Sequence, residues 1–340
     1  MNRSTFALLT LPFALALGLC APAYGAGAEN PFVGNWALTI PGGGAGWLGV
    51  TQQEGYLDAS VLWGGGSVVP VDSVYMDGAN LVVTRAHEVE RKDKDGKVVR
   101  KQNFTDTITA TVSGNDLKLT VLRPDPNGGP VQRQEFSGKR IPPVPAAPNL
   151  ASLKFGAPIP LFNGKNLDGW ELTNPKQVSG WKAKDGLLVN DVIIEEGKPH
   201  PSYGNLRTKQ EFEDFNLKLE VQVPKRGNSG IYLRGIYEVQ VEDTYGKPVD
   251  SHNMGGIYSR IAPTVAAEKP AGEWQSLDIT LADRHVTVKL NGKTIIDNQP
   301  LLGCTGGALT SDEFKPGPIY LQGDHTGITY RNIVLTPIVK

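Results

Sequence analysis

Short runs in which apolar and polar residues alternate recur along this chain, and turn residues separate one run from the next. Alternation places successive side chains on opposite faces of a β-strand. Asp77-Gly78, Asp95-Gly96 and the tetrad Leu290-Asn291-Gly292-Lys293 are typical of the tight turns that join such strands. The chain also has 40 glycines and 25 prolines in 340 residues, and few stretches have the period of a long helix. These features together predict an all-β fold with many turns.

A proline-rich segment divides the strand-like runs into two groups. Residues 141–160, IPPVPAAPNLASLKFGAPIP, carry four prolines in their first eight positions, which predicts a semi-rigid linker. Residues 29–140 before it predict a small β meander or barrel, in which the charged run Glu88–Lys101 forms an exposed hairpin. Residues 161–340 after it hold more strand-like runs than one sheet needs, which predicts two packed sheets in a sandwich or jelly roll.

The N-terminal residues 1–28 have the pattern of a secretory signal peptide. Arg3 supplies the positive start, Phe6–Leu19 is apolar, and small residues follow. We therefore expect a periplasmic or secreted protein with no transmembrane segment after cleavage. Cys20 raises the alternative of a lipoprotein anchor, which is less favoured because Leu19 stands where such signals carry a small residue.

Composition and motifs exclude several classes of partner and cofactor. A formal net charge of −1 does not suggest a polyanionic partner, so no nucleic acid is expected. Gly44–Gly49 matches G-x-G-x-x-G, but the strand-like Val50–Gln53 follows it instead of the helix that a dinucleotide site requires, so no nucleotide cofactor is expected. Cys304 has no basic neighbour and is predicted to be buried or incidental. The five histidines lack helical metal-binding spacing, and a divalent metal held by distant loops stays open.

The stretch 227–246, GNSGIYLRGIYEVQVEDTYG, predicts two strands joined by a turn around Gly235. Strand alternation places Tyr232 and Arg234 on one face of the first strand, and Glu238 and Gln240 on one face of the second. Such a polar sheet surface can hydrogen-bond a sugar or carry acid–base chemistry. The alternative for Arg234 is a cross-strand ion pair that only satisfies charge.

Several segments of the second domain, in the same order, resemble the 3-keto-disaccharide hydrolase family over about residues 160–337. These segments are LFNGKNLDGW at 161–170, GNSGIYLRGIYEVQVED at 227–243, GGIY at 255–258 and GPIYLQGDHTGITYRNI at 317–333. The resemblance implies a concanavalin-A-like jelly roll whose concave sheet receives a sugar. It also implies cleavage, by hydrolysis or by elimination and hydration, of glycosides already oxidised at C3. A separate sugar 3-dehydrogenase would have to supply that substrate.

The chemistry of a C3 ketone defines which side chains such an enzyme needs. The ketone acidifies the C2 proton, so a base, an acid for the departing glycosidic oxygen and a stabiliser for the enolate are sufficient. We expect Glu238 and His325 to be base and acid in either order, Arg234 to stabilise the enolate, and Glu220 to be a second candidate carboxylate. The residues expected to bind substrate are Asn228, Tyr232, Gln240, Asp243, Tyr258 and Gln322.

Simpler interpretations stand beside these roles. Asn228 could belong to a turn, Asp243 could cap a loop, and His325 could be an exposed loop residue. A carbohydrate-binding protein without turnover is the alternative function on the same fold. The first domain begins with Gly34-Asn35-Trp36, a weak likeness to the lipocalin G-x-W motif. That domain could bind a ligand, dock onto the second domain or only add solubility.

Overall fold

A computed structural model of the chain describes residues 30–193 and 201–339. The predicted signal peptide and Cys20 lie outside the described residues. Within these ranges the regular structure is β-strand apart from a short 3-10 turn at Leu150–Ser152. No helix in this part of the chain is long and apolar enough to span a membrane. The predicted all-β class is therefore confirmed.

The first domain is one curled sheet of nine strands. Its order is β4-β3-β2-β1-β9-β8-β7-β6-β5, so the two edge strands are consecutive in the chain. The connection between those edge strands bonds to both ends of the sheet, since the Val71 amide donates to the Ala59 carbonyl of β3 and the Asp72 amide donates to the Thr84 carbonyl of β6. The sheet therefore approaches a closed barrel, as predicted. The strands are β1 Gly34–Thr39, β2 Ala45–Gln52, β3 Leu57–Trp63, β4 Val69–Pro70, β5 Ser73–Asp77, β6 Asn80–Lys92, β7 Val98–Ser113, β8 Asp116–Arg123 and β9 Gln132–Ile141.

The second domain is a sandwich of two antiparallel sheets. The larger has the order β13-β14-β23-β16-β19-β20-β21, with β10 and β11 also paired to β23, and the smaller has the order β12-β15-β22-β17-β18. This is the predicted concanavalin-A-like arrangement. The strands are β10 Lys154–Phe155, β11 Ile159–Pro160, β12 Trp170–Leu172, β13 Trp181–Lys184, β14 Leu187–Asn190, β15 Leu206–Thr208, β16 Phe215–Gln222, β17 Asn228–Leu233, β18 Tyr237–Glu242, β19 Trp274–Ala282, β20 His285–Leu290, β21 Lys293–Pro300, β22 Tyr320–Leu321 and β23 Ile328–Val339.

The core of the sandwich forms where the apolar faces of the two sheets meet. Alternate residues of β16, beginning with Phe215 and Leu217, are fully buried and their neighbours are partly exposed. Ile231 of β17 and Val239 of β18 are buried in the same cluster from the smaller sheet. Because side chains alternate along a strand, Tyr232 and its neighbours of like parity point to the outer face of the smaller sheet.

The segment 141–160 is not a free linker throughout. Lys154–Phe155 pairs with Val339 and Ile338, and Ile159–Pro160 pairs with Leu335 and Val334. Pro158 therefore precedes a short edge strand and Pro160 lies within it, where a missing amide donor is tolerated. The unpaired part of the linker lies before the 3-10 turn, and the sandwich of the second domain begins before residue 161.

Candidate active site

A tight hairpin between β17 and β18 positions the polar side chains of the smaller sheet. Arg234 and Gly235 both have positive φ, 56° and 66°, and the Ile236 amide donates to the Leu233 carbonyl at 3.0 Å. Two consecutive left-handed residues are typical of the type I′ turn, which matches the twist of an antiparallel pair. The resulting register places Tyr232 directly opposite Glu238.

The outer face of this hairpin forms the floor of a cavity of about 270 Å³. That volume lies just below the usual range for small-molecule sites and suits a ligand of one sugar ring. Seven of the ten predicted site residues line it, namely Asn228, Tyr232, Glu238, Gln240, Tyr258, Gln322 and His325. The remaining wall residues are Gly65, Gly66, Asn205, Gly306, Gly307, Tyr320 and Asp324.

Glu238 is the buried carboxyl group of the cavity. It is only 3% exposed, and desolvation raises its pKa to about 8, although its hydrogen bond with Tyr232 and the charge of His325 act in the opposite direction. A Cβ atom on Gly230 would lie 2.2 Å from Glu238 Oε1, so only glycine leaves space for this carboxyl. Burial therefore favours the neutral, protonated form of Glu238.

Two stacked tyrosines form one wall beside Glu238. The rings of Tyr232 and Tyr320 lie 4.2 Å apart at 13° to each other. The Tyr232 hydroxyl donates to the Gly306 carbonyl at 2.7 Å, and Asn205 Nδ2 donates to the Tyr320 hydroxyl at 2.8 Å. Burial raises the pKa of both phenols, so they remain neutral hydrogen-bonding groups.

His325 lines the same cavity and follows β22 by four residues. Its Nδ1 is 2.8 Å from Asp324 Oδ1, and this hydrogen bond raises the pKa of the imidazole. A carboxylate at Nδ1 favours the tautomer that carries the proton there, which leaves Nε2 as the basic nitrogen. Glu238 and Asp324 both influence the histidine through their charge, so the three groups form one electrostatic unit.

Amide side chains supply the neutral hydrogen-bonding groups of the cavity. Gln240 Nε2 donates to Glu242 Oε2 at 3.1 Å, while Gln240 Oε1 and Gln322 Oε1 are buried and have no hydrogen-bond partner among the described residues. Buried acceptors without partners are rare in folded proteins. Both oxygens are therefore free to accept the hydroxyl protons of a ligand.

The other three predicted residues lie outside the cavity. The Arg234 guanidinium donates to the backbone carbonyls of Glu313 and Lys315, because the left-handed turn removes this residue from the strand alternation. Among the described residues Arg234 forms no ion pair, so the alternative cross-strand pair is not seen, and its guanidinium lies away from the cavity in which the enolate contact was expected. Asp243 accepts from the Arg226 amide at 2.8 Å, which agrees with the simpler role of a loop cap.

Glu220 is placed on the other sheet. It belongs to β16 of the larger sheet and accepts from Arg331 Nε at 3.0 Å and from Asn332 Nδ2 at 2.5 Å. Its strand does alternate as predicted, but the polar face of β16 is the outer face of the larger sheet. Glu220 and the cavity therefore lie on opposite outer faces of the sandwich.

Half of the residues that line the cavity were not predicted from the sequence. Tyr320 alternates with buried Ile319 and Leu321, so its position on the polar face was readable from the sequence. Asn205 had no such signal, because its role depends on contacts with Tyr320 and Gly323 on a distant segment. Within the described ranges, no three His, Cys, Asp or Glu side chains are grouped so that they could hold a metal ion.

Comparison with known proteins identifies the second domain. The curated 3-keto-disaccharide hydrolase of Bacteroides thetaiotaomicron is 25% identical over 166 residues, which cover 41% of this chain and 57% of that protein. A crystal structure from Parabacteroides distasonis, named as a glycosyl hydrolase, is 31% identical, covers 58% of this chain and 93% of that chain, and has a TM-score of 0.42. Another from the same organism is 26% identical, with coverages of 53% and 98% and a TM-score of 0.39. Residues 157–336, more than half of the chain, match the 3-keto-alpha-glucoside-1,2-lyase-like domain, and the protein belongs to that family.

Proposed function

We propose that this protein cleaves the glycosidic bond of glucosides oxidised to a ketone at C3. Family membership supports the substrate class, and one observation supports the chemistry. A buried, protonated carboxyl, Glu238, shares a cavity of one sugar ring's size with the histidine–carboxylate pair of His325 and Asp324. Paired groups whose environments hold them in different protonation states are typical of acid–base catalysis.

In this proposal His325 is the base that removes the C2 proton. Asp324 at Nδ1 orients the ring, leaves Nε2 to accept the proton and stabilises the imidazolium that forms. The raised pKa of His325 makes it a stronger base toward a carbon acid than an unperturbed histidine. The electron pair of the broken C2–H bond passes into the C3 ketone and forms an enolate.

Glu238 is the acid that protonates the departing oxygen. As the enolate collapses, a C1–C2 double bond forms, the C1–O bond breaks, and the Glu238 proton passes to the leaving alcohol. Water then adds across the double bond, with its oxygen at C1 and its proton returned to C2. The products are the 3-keto sugar and the free alcohol, and the sum of the two steps is hydrolysis.

The enolate oxygen would be held by neutral donors in this cavity. Arg234 cannot serve, because its guanidinium is committed to carbonyls outside the cavity. The amide groups of Asn228, Gln240 and Gln322 and the hydroxyl of Tyr258 line the wall and can donate hydrogen bonds. Donors fixed in a buried site stabilise developing charge without the reorganisation that water requires.

The order of acid and base is tested with two leaving groups. Methyl 3-keto-α-glucoside needs an acid for its departing methanol, whereas 4-nitrophenyl 3-keto-α-glucoside releases a stable phenolate. General acid catalysis contributes about 10²–10⁴-fold. Glu238→Gln should lose that factor on the methyl glycoside and much less on the nitrophenyl glycoside, while His325→Gln should lose it on both. The reverse pattern would exchange the two roles.

Proton exchange gives a second, independent measurement. In D₂O the wild-type enzyme should exchange the C2 proton of 3-keto-glucose, and His325→Gln should abolish that exchange while Glu238→Gln retains it. Binding of several 3-keto-glycosides by calorimetry, without cleavage or exchange, would instead support the carbohydrate-binding alternative.

The biological setting is part of the proposal. Residues 1–28 are consistent with export to the periplasm or the medium. A separate reaction that oxidises C3 of a glucosyl unit must precede this one, because the proposed elimination depends on the C3 ketone to acidify the C2 proton. Export is tested by locating the processed protein in cell fractions, and its retention in the cytoplasm with residues 1–28 intact would contradict it.

A further inference from the structure

Part of the first domain packs into the apolar core of the second. Trp47 of β2 is 7% exposed and belongs to the same buried cluster as the sandwich strands, together with Ala37 and Leu62. A Cβ on Gly303 would lie 2.2 Å from the Trp47 ring, so the indole is in close contact with the 301–318 segment of the second domain. The guanidinium of Arg260 lies over the same ring, 4.5 Å from its centroid. The first domain is therefore docked through a closely packed interface.

A loop of that docked domain reaches the cavity of the second. Residues 64–68, GGGSV, follow β3, and Gly65 and Gly66 line the cavity wall. The Gly307 amide donates to the Gly64 carbonyl at 3.2 Å. A Cβ on Gly306 would lie 2.0 Å from the Gly66 carbonyl oxygen, so the two backbones touch without side chains between them. Glycines on both sides permit this close approach.

Side-chain hydrogen bonds hold the GGGSV loop in place. Ser67 Oγ is 2.9 Å from His252 Nε2, and His252 Nδ1 is 2.6 Å from Asp250 Oδ1. The His252 ring in turn packs edge-on against Tyr258, a cavity residue, at 4.8 Å. The Val68 amide donates to Ser259 Oγ at 2.8 Å. The GGGSV loop is therefore held by residues 250–259, and the same segment contributes Tyr258 to the cavity wall.

We propose that the first domain completes the substrate site and that the GGGSV loop contacts the sugar and limits its size. The amides of Gly65 and Gly66 donate to no protein acceptor among the described residues, so they are available to a ligand. With this wall in place the cavity holds about 270 Å³, which fits one glycosyl ring and leaves little space for a second ring on that side. The identity of the ligand as a 3-keto sugar rests on the proposed function.

A single engineered thiol tests the proposal. Gly65 has no positive φ, and a Cβ there meets open space, so Gly65→Cys should be tolerated. Cys304 is buried and its pKa is raised to about 12, so it should not react. The matched control is Lys94→Cys in the exposed β6–β7 turn, and Cys20→Ser is included in both proteins.

The measurement is the rate of thiol labelling by iodoacetamide with and without 3-keto-glucose. At ten times Kd about one-tenth of the sites are empty, so labelling of Gly65→Cys should slow about tenfold. Labelling of Lys94→Cys should be unchanged. Calorimetry on the fully labelled Gly65→Cys protein should show weakened binding of 3-keto-glucose, while labelled Lys94→Cys should bind as the wild type does.

The outcomes separate this inference from the proposed function. If the sugar protects Gly65→Cys but no 3-keto-glycoside is cleaved, the loop forms a sugar site and the proposed reaction is wrong. If neither 3-keto-glucose nor any 3-keto-glycoside slows labelling, the inference is overturned, whether or not the wild-type enzyme has turnover. Unchanged binding after complete labelling would also overturn it.

Discussion

Replacing Gly230 with alanine should displace the carboxyl of Glu238, the proposed acid, while every residue with a proposed catalytic role is left unchanged. The added Cβ would lie 2.2 Å from Glu238 Oε1, 2.9 Å from Cδ and 3.0 Å from Cγ, and real Cβ contacts are not this short. The backbone on both strands is fixed by the β17–β18 ladder, so the Glu238 side chain must rotate away. Overpacking of this kind costs about 1–3 kcal/mol.

Two consequences of Gly230→Ala can be measured separately. A shift of about 1 Å in a catalytic group lowers the rate by about 10², so kcat on methyl 3-keto-α-glucoside should fall by that order. A carboxyl moved toward solvent also loses the desolvation that raises its pKa to about 8, and its pKa should return toward 4.5. Since the acid must be protonated, the alkaline limb of the pH–rate profile should move to lower pH.

Gly156→Ala is the matched control. A Cβ on Gly156 would make only ordinary contacts, the nearest at 3.5 Å from Val339, and its φ is not positive. We expect wild-type kcat and an unchanged alkaline limb in this variant. An unchanged alkaline limb in Gly230→Ala, or an equal loss of rate in both variants, would refute the steric argument.

The remaining predictions concern protonation and the residues placed outside the cavity. Turnover should rise as pH passes the raised pKa of His325 and fall near pH 8 as Glu238 ionises, and Glu238→Gln should remove the alkaline limb; a limb near pH 8 that persists in that variant would assign it elsewhere. The folded protein binds a proton on Glu238 that the unfolded chain has released above pH 4.5, so this group's contribution to stability falls between about pH 4.5 and 8. Glu238→Gln should therefore unfold at a higher temperature than the wild type at pH 8 by calorimetry, and an equal or lower Tm would contradict that sign. Glu220→Gln should retain full turnover and lose at most about 1 kcal/mol of stability in denaturant titrations, because its ion pair with Arg331 is partly exposed; a large loss of kcat would return Glu220 to the catalytic site.

Strand alternation predicted which residues of the β17–β18 hairpin share the face that lines the cavity. Tyr232, Glu238 and Gln240 share a face because Tyr232 pairs directly with Glu238 across the β17–β18 hairpin, whose loop is the three residues Arg234–Ile236. The same rule failed for Glu220, since alternation tells which face of its own sheet a residue occupies and not which of two sheets its strand joins. It failed for Arg234 because a positive φ at the turn takes the side chain out of the strand pattern.

Contacts between distant segments account for what the sequence could not predict. Gly65 and Gly66 lie in a different domain from the rest of the cavity, and nothing in a glycine run tells which surface it will meet. The strands Lys154–Phe155 and Ile159–Pro160 were not predicted from the sequence. They lie in a proline-rich segment, and a two-residue edge strand has too little pattern to detect. Their partner is the last strand of the chain, which no local signal connects to them.

The Trp47 contact has a consequence for how the protein unfolds. An indole buried among residues of the sandwich would be exposed if the first domain opened or melted alone, and burial of a large side chain of this kind is worth about 1.5–3 kcal/mol. The strands β10 and β11 follow the linker in the chain and pair with β23, so they also attach the linker to the sandwich. The two domains are therefore expected to behave as one cooperative unit, with a single heat-absorption peak in place of two.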